Sequence, residues 1–120
     1  MVKIKNHESL LDITRGNGTK RSVDDLIGAF NVAEALYRVN PALGSDYASE
    51  IGEAQTAVFN MASRGKDNHR FLFTGPEMQA VNVGMEVHDA QLDACTVAEL
   101  EKAMELVKRE IRSQRVRVIA

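Results

Sequence analysis

Phe73-Thr74-Gly75-Pro76-Glu77-Met78 opens one helix, and Cys95-Thr96-Val97-Ala98-Glu99-Leu100 opens the next. Each begins with a threonine that can cap. Three residues on, a glutamate can reach back to the cap amide. Phe73 with Met78, and Cys95 with Leu100, occupy the two hydrophobic-staple positions. Pro76 sits in the first turn, where no donor is lost. Between the two starts, Met78, Val81, Met85, His88, Leu92 and Cys95 form one stripe at helical spacing. After the second, Val97, Leu100, Met104, Val107 and Ile111 recur near heptad spacing. The short connection from Asp93 to Thr96 makes these two helices an antiparallel hairpin.

Three more helices precede them. Asn6 can cap a short first helix with Leu10, Leu11 and Ile13, which Gly16-Asn17-Gly18 ends. Ser22 with Asp25 resembles a capping box and starts the second helix, which runs to about Val39. Val23, Leu26, Ile27, Phe30, Ala33 and Tyr37 recur along it, and Asn40-Pro41 ends it. The third starts near Pro41 or Ser45 and runs to about Ser63. Tyr47, Ile51, Ala54, Val58 and Met61 are its seam. The expected fold is therefore mainly α, a four- to five-helix antiparallel bundle with a C-terminal helical hairpin, in one domain over residues 1–120. At the ends, Val2 and Ile4 alternate with Lys3 and Lys5, and Arg115-Val116-Arg117-Val118-Ile119 alternates too. Either could form a short strand, paired with the other or with Phe71-Leu72-Phe73, though two strands alone are marginal.

Composition agrees. Hydrophobic residues make up 44% and charged residues 27% of 120 residues, ordinary for a globular protein. Tryptophan is absent and aromatics are 5%, so Ala, Val, Leu, Ile and Met must build the core. No apolar run approaches the roughly 20 residues that span a bilayer. Met1 to Lys5 lacks the apolar region of a signal peptide. Cys95 is the only cysteine, which excludes an intramolecular disulfide and fits a reducing compartment. A cytoplasmic protein is expected, with no membrane association.

Charge is distributed unevenly. Short connections make successive helices antiparallel, so the second and fourth start where the third and fifth end. Lys3, Lys5, Arg15, Lys20, Arg21, Arg64, Lys66, Arg70, Lys108, Arg109, Arg112, Arg115 and Arg117 are then expected at one pole, and only Arg38 and Lys102 elsewhere. A net charge of −2 argues against a general nucleic-acid coat protein, but a polarised field can still position an anionic partner. Helix-end preferences account for Arg64, Lys108, Arg109 and Arg112. They do not account for Lys20 and Arg21, which lie next to a helix N-terminus.

Arg15-Gly16-Asn17-Gly18-Thr19-Lys20-Arg21-Ser22 has the ingredients of a phosphate-binding loop. It has glycines that free backbone amides, donors in Asn17, Thr19 and Ser22, cations, and a helix start. It does not match G-x-x-x-x-G-K-[ST], and a flexible turn between helices needs the same residues. Arg64, Lys66 and Arg70 could complete a basic cleft with it, and Arg112, Arg115 and Arg117 could follow a phosphate backbone. That C-terminal segment lacks the interleaved aromatics that stack single-stranded bases.

His88 sits on an apolar stripe without a histidine or carboxylate at i±4, so it reads as a hydrogen-bonded core or interface histidine rather than a metal ligand. No G-x-S-x-G, H-E-x-x-H or Cys/His spacing appears. A non-enzymatic protein without cofactor or metal is expected; a carboxylate-rich site around His88 is the weaker alternative. Two helices are apolar on a second face. One carries Ala29, Val32, Leu36 and Val39; the other carries Ala80, Val83, Val87, Ala90 and Ala94. Such helices are central or lie in an interface, which predicts self-association as a homodimer.

Arg70-Phe71-Leu72-Phe73-Thr74-Gly75-Pro76-Glu77-Met78-Gln79-Ala80, continued by His88-Asp89-Ala90-Gln91-Leu92, resembles small uncharacterised proteins carried by proteobacterial phages and prophages. The likeness covers roughly the C-terminal half and supplies no site residues. It implies an accessory protein that binds host or phage machinery. A protein partner is therefore the first expectation. An anion, nucleotide or nucleic-acid ligand at the basic pole is the second.

Overall fold

A computed structural model describes residues 2–113. The five helices are α1 (Val2–Thr14), α2 (Lys20–Val39), α3 (Ala48–Gly65), α4 (Gly75–Ala94) and α5 (Val97–Arg112), with a 3-10 turn at Ser45–Tyr47 leading into α3. No strand occurs among the described residues, and the chain is a mainly-α bundle.

α2 is the central helix, in contact with α1, α3, α4 and α5. Its two apolar stripes explain this position. Leu26, Phe30 and Ala33 are buried on one, Ala29 and Leu36 on the other. Leu26 and Phe30 join Ala54, Val58 and Met61 of α3 and Val81 and Met85 of α4 in the larger core cluster. Ala35 and Leu36 join Leu43, Ala103 and Val107 in the smaller one. The expected seam of α3 is thus buried from Ile51 to Met61, while Tyr47 lies outside and is 52% exposed; that of α4 is buried at Val81, Met85 and His88 and half-buried at Met78, Leu92 and Cys95.

Both predicted capping boxes hold. Thr74 Oγ1 accepts from the Glu77 amide at 3.3 Å, and Glu77 Oε1 accepts from the Thr74 amide at 2.8 Å. Thr96 and Glu99 repeat the exchange at 3.1 and 2.8 Å. The Ser22 box does not form. Thr19 caps α2 instead, exchanging bonds with Ser22. Asp25 is engaged elsewhere: it accepts from Ser9 Oγ at 2.8 Å and pairs with Lys5 at 3.3 Å. That tie to α1 could not be read locally.

The N-terminal segment is helix, not strand. Asn6, expected as a cap, is an interior residue of α1, because Asn6, Ser9 and Ile13 form the face buried on the bundle. Two of those three are polar, which hid the stripe. Phe71-Leu72-Phe73 is irregular, with Phe71 anchored in the core. The other expected strand, Arg115 to Ile119, lies outside the described residues.

The C-terminal hairpin turns as expected, but its arms part. α5 packs on α2 rather than along α4, and Asn40 Nδ2 donates to Glu99 Oε2 at 2.8 Å while Arg38 pairs with Glu110. The packed face of α5 keeps Leu100 and Val107 of the predicted stripe but not the rest of it. Ala103 and Val107 are buried, whereas Met104 and Ile111 are exposed and Val97 is 74% exposed. Small Ala103 lets α5 approach Ala35 and Leu36 of α2 closely. The bulkier Val97, Met104 and Ile111 dominate the periodicity yet face outward.

Candidate functional site

Helix ends expected at the basic pole do meet in pairs. Arg64 at the end of α3 reaches Glu77 at the start of α4, and Val107 and Ile111 of α5 share a groove with Lys20 and Asp24 of α2. Arg15, Lys20, Arg21, Arg64, Lys66, Arg70 and Arg112 all belong to helix ends or loops on this side. Lys3 does not. Its ammonium lies 2.5 Å from Asp93, at the far end of α4, because α1 runs antiparallel to α4. His7 contacts Asp89 at 2.7 Å one turn along the same seam.

The loop from Arg15 to Ser22 spends most of its donors on the fold. Gly16, at φ 80°, ends α1 in a Schellman arrangement. Its amide donates to Ile13 O at 3.1 Å, and that of Asn17 to Asp12 O at 2.8 Å. Gly18 lies against Ile13 so closely that a β-carbon would fall 2.7 Å from its Cγ1. Thr19 and Ser22 cap α2, and Ser22 is buried. What the loop still offers a ligand is charge. Lys20 shares its charge with Asp24 at 2.9 Å, while Arg15 and Arg21 make no ion pair among the described residues.

Arg64 is also committed. Its guanidinium holds both oxygens of Glu77, at 2.8 and 2.6 Å, and donates to Leu72 O at 2.9 Å. Arg64 beside it, with the Thr74 amide, keeps the Glu77 carboxyl below the usual carboxylate range. Lys66 and Arg70 are exposed and make no ion pair among the described residues. Arg112 lies 3.6 Å from Glu105. Arg115 and Arg117 fall outside the described residues.

A different surface was only half legible in the sequence. The second apolar stripe of α2 is covered, but that of α4 is not. Val83, Ala90 and Ala94 are exposed, and Ala80 and Val87 half-buried. Along this stripe lie two grooves, the upper between the α2–α3 connection and α4, the lower at the α3–α4 seam. The upper, of about 400 Å³, runs between Leu43, Tyr47 and the C-terminal half of α4. The lower lies between Gly52, Thr56 and Asn60 of α3 and Pro76 and Ala80 of α4. No lysine, arginine or histidine lines either.

Gln91 and His88 fix the floor of the upper groove. Gln91 Nε2 donates to Ala33 O at 2.9 Å and to Leu43 O at 2.8 Å, tying the α2–α3 connection to α4. Its Oε1 therefore accepts from His88 Nδ1 at 3.0 Å, which sets the tautomer. His88 is fully buried, and that burial lowers its pKa below the ordinary imidazole value, so the ring is neutral. Gly44, at φ 99°, completes the floor; a β-carbon there would meet Gln91 Nε2 at 3.1 Å. His88 is a hydrogen-bonded core histidine, as its position on an apolar stripe implied. Its partner Gln91 gave no sequence signal, because a lone glutamine on a helix carries no periodicity. Among the described residues, no three His, Cys, Asp or Glu side chains cluster as a metal site.

No protein-family model, no curated protein and no solved structure matches this chain. No helix among the described residues is long and apolar enough to cross a membrane.

Proposed function

We propose that this chain is a small, non-catalytic helical protein of the cytoplasm that acts by binding a protein partner through the outer face of α3 and α4. One observation carries this reading. Of two helices with a second apolar stripe, α2 is enclosed by the bundle and α4 leaves its stripe in solvent. Contiguous exposed apolar surface beside grooves is characteristic of association sites. The resemblance of the C-terminal half to phage and prophage accessory proteins fits an adaptor that binds host or phage machinery. The expected homodimer belongs to the same reading, since a second copy is one candidate occupant.

A photo-crosslinking amino acid at Val83, in the native cell, tests this. The expected result is a discrete crosslinked protein that is absent when the crosslinker replaces Lys102. Failure to capture any protein at Val83, or at other exposed positions of the chain, counts against it.

A second reading has its own support. Arg15 and Arg21, around the α1–α2 connection, and Lys66 and Arg70, in the α3–α4 connection, have no carboxylate partners among the described residues. Such a surface suits a phosphorylated ligand or nucleic acid. Titration with nucleotides, DNA and RNA at low ionic strength decides it, and undetectable binding there removes it.

A further inference from the structure

From the charge around the exposed stripe of α4, we infer that the two grooves along this stripe, against α3 below and the α2–α3 connection above, together take a cationic amphipathic helix from the partner protein. This deepens the protein-binding reading and rests on it. α3 and α4 together contain no lysine and a single arginine, Arg64, which Glu77 engages through both oxygens. Their other acids are Glu50, Glu53, Glu86, Asp89 and Asp93. Asp89 and Asp93 are met by His7 and Lys3 of α1. Glu50, Glu53 and Glu86 have no cation among the described residues. Glu53 lines the lower groove and Glu86 the upper, so a fixed, uncompensated negative edge follows the apolar stripe.

The shape selects a helix. The stripe from Pro76 to Ala94 lies on one uninterrupted helix and spans about 27 Å, the length of a helix of about 18 residues. Its members recur at three- and four-residue intervals, the spacing that receives anchors of a helix laid in a groove. Small side chains at Gly52, Ala80 and Ala90 let such a helix come close, and Val83 and Val87 supply apolar contact. A second copy of the chain is disfavoured on this face. Two-fold pairing would bring two negative edges together with no cation from either groove, and like charges across an interface are costly. Lysines or arginines flanking an apolar stripe are the complement.

The probe is a synthetic 18-residue helix with a leucine stripe flanked by lysines, compared with the same peptide carrying glutamates instead. Titrated into the isotope-labelled full chain, the lysine peptide shifts the amides of Gly52, Val83, Val87 and Ala90 saturably. It binds about tenfold or more tightly than the glutamate peptide at low salt. The exposed double substitution E53K/E86K reverses that order. Equal affinities, shifts mapping elsewhere, or no saturable shift on α3 and α4 overturn the proposal. Concentration-dependent dimerisation abolished by Val83→Glu also overturns it, since the occupant is then a second copy. A cellular partner that crosslinks at Val83 and whose capture survives E53K/E86K sinks the cationic-helix inference while leaving the protein-binding reading intact.

Discussion

A β-carbon placed on Gly84 of α4 would lie 2.5 Å from the Ala54 β-carbon of α3. It would also lie 2.9 Å from Cε1 of Phe30 on the central helix. Neither neighbour is a flexible chain end that can swing aside. The two helices beneath the proposed interaction face are therefore held together by the absence of one side chain.

Gly84→Ala is expected to destabilise the protein, despite the better helix propensity of alanine. Overpacking costs about 1–3 kcal/mol, and the propensity gain offsets about 1 kcal/mol of it. Gly28→Ala is the control. A β-carbon at that position, also inside a helix, meets nothing within 4 Å. It is expected to stabilise by about 0.5–1 kcal/mol. Urea unfolding of the two variants should shift the midpoint in opposite directions.

Neighbouring positions on α5 should respond in opposite ways. Ala103→Glu places an unpaired carboxylate among Leu36, Leu43 and Val107, and is expected to cost about 3 kcal/mol or more. Met104→Lys, on the exposed side, is expected to stay within about 0.5 kcal/mol of wild type. Thermal or urea unfolding measures both. A large loss for Met104→Lys would mean that α5 packs through the heptad stripe instead.

Stability should fall as the pH drops below about 6.5. Burial depresses the pKa of His88, so below its ordinary value the unfolded chain binds a proton that the native ring resists. The unfolded state then holds more protons, and lowering the pH favours it until the depressed native pKa is reached. Urea midpoints between pH 7 and 5 should decline for wild type. His88→Gln should be less stable at pH 7 and lose much of that slope.

Glu77→Ala removes the reciprocal half of the α4 capping box and both bonds to Arg64. A loss of about 1–2 kcal/mol is expected from the cap and the partly buried bidentate pair. Because the native carboxyl titrates below its ordinary value, this contribution is present above about pH 4.5 and disappears as the pH falls through the depressed pKa. The wild type and the variant should therefore converge in stability toward low pH, as read by denaturant unfolding.

The caps at Thr74–Glu77 and Thr96–Glu99, the existence of five helices though not the start of α1, and the centres of the buried seams of α3 and α4 were determined by the sequence alone. Each depends on residues within a turn or two of one another, and local hydrogen bonding and helical periodicity report such contacts directly. Tertiary structure decided the rest. Periodicity shows that a helix has an apolar face but not which neighbour covers it. Hence α2 and α4, alike in carrying two stripes, ended with opposite exposure, and α5 turned Ala103 rather than Met104 inward. The charges followed the same rule. Lys3 left the basic pole because α1 runs antiparallel to α4, and Arg64 and Lys20 found carboxylates that a count of cations does not reveal. Only packing could separate the charges and apolar side chains consumed by the fold from those left for a partner, because that division is made by which surfaces meet.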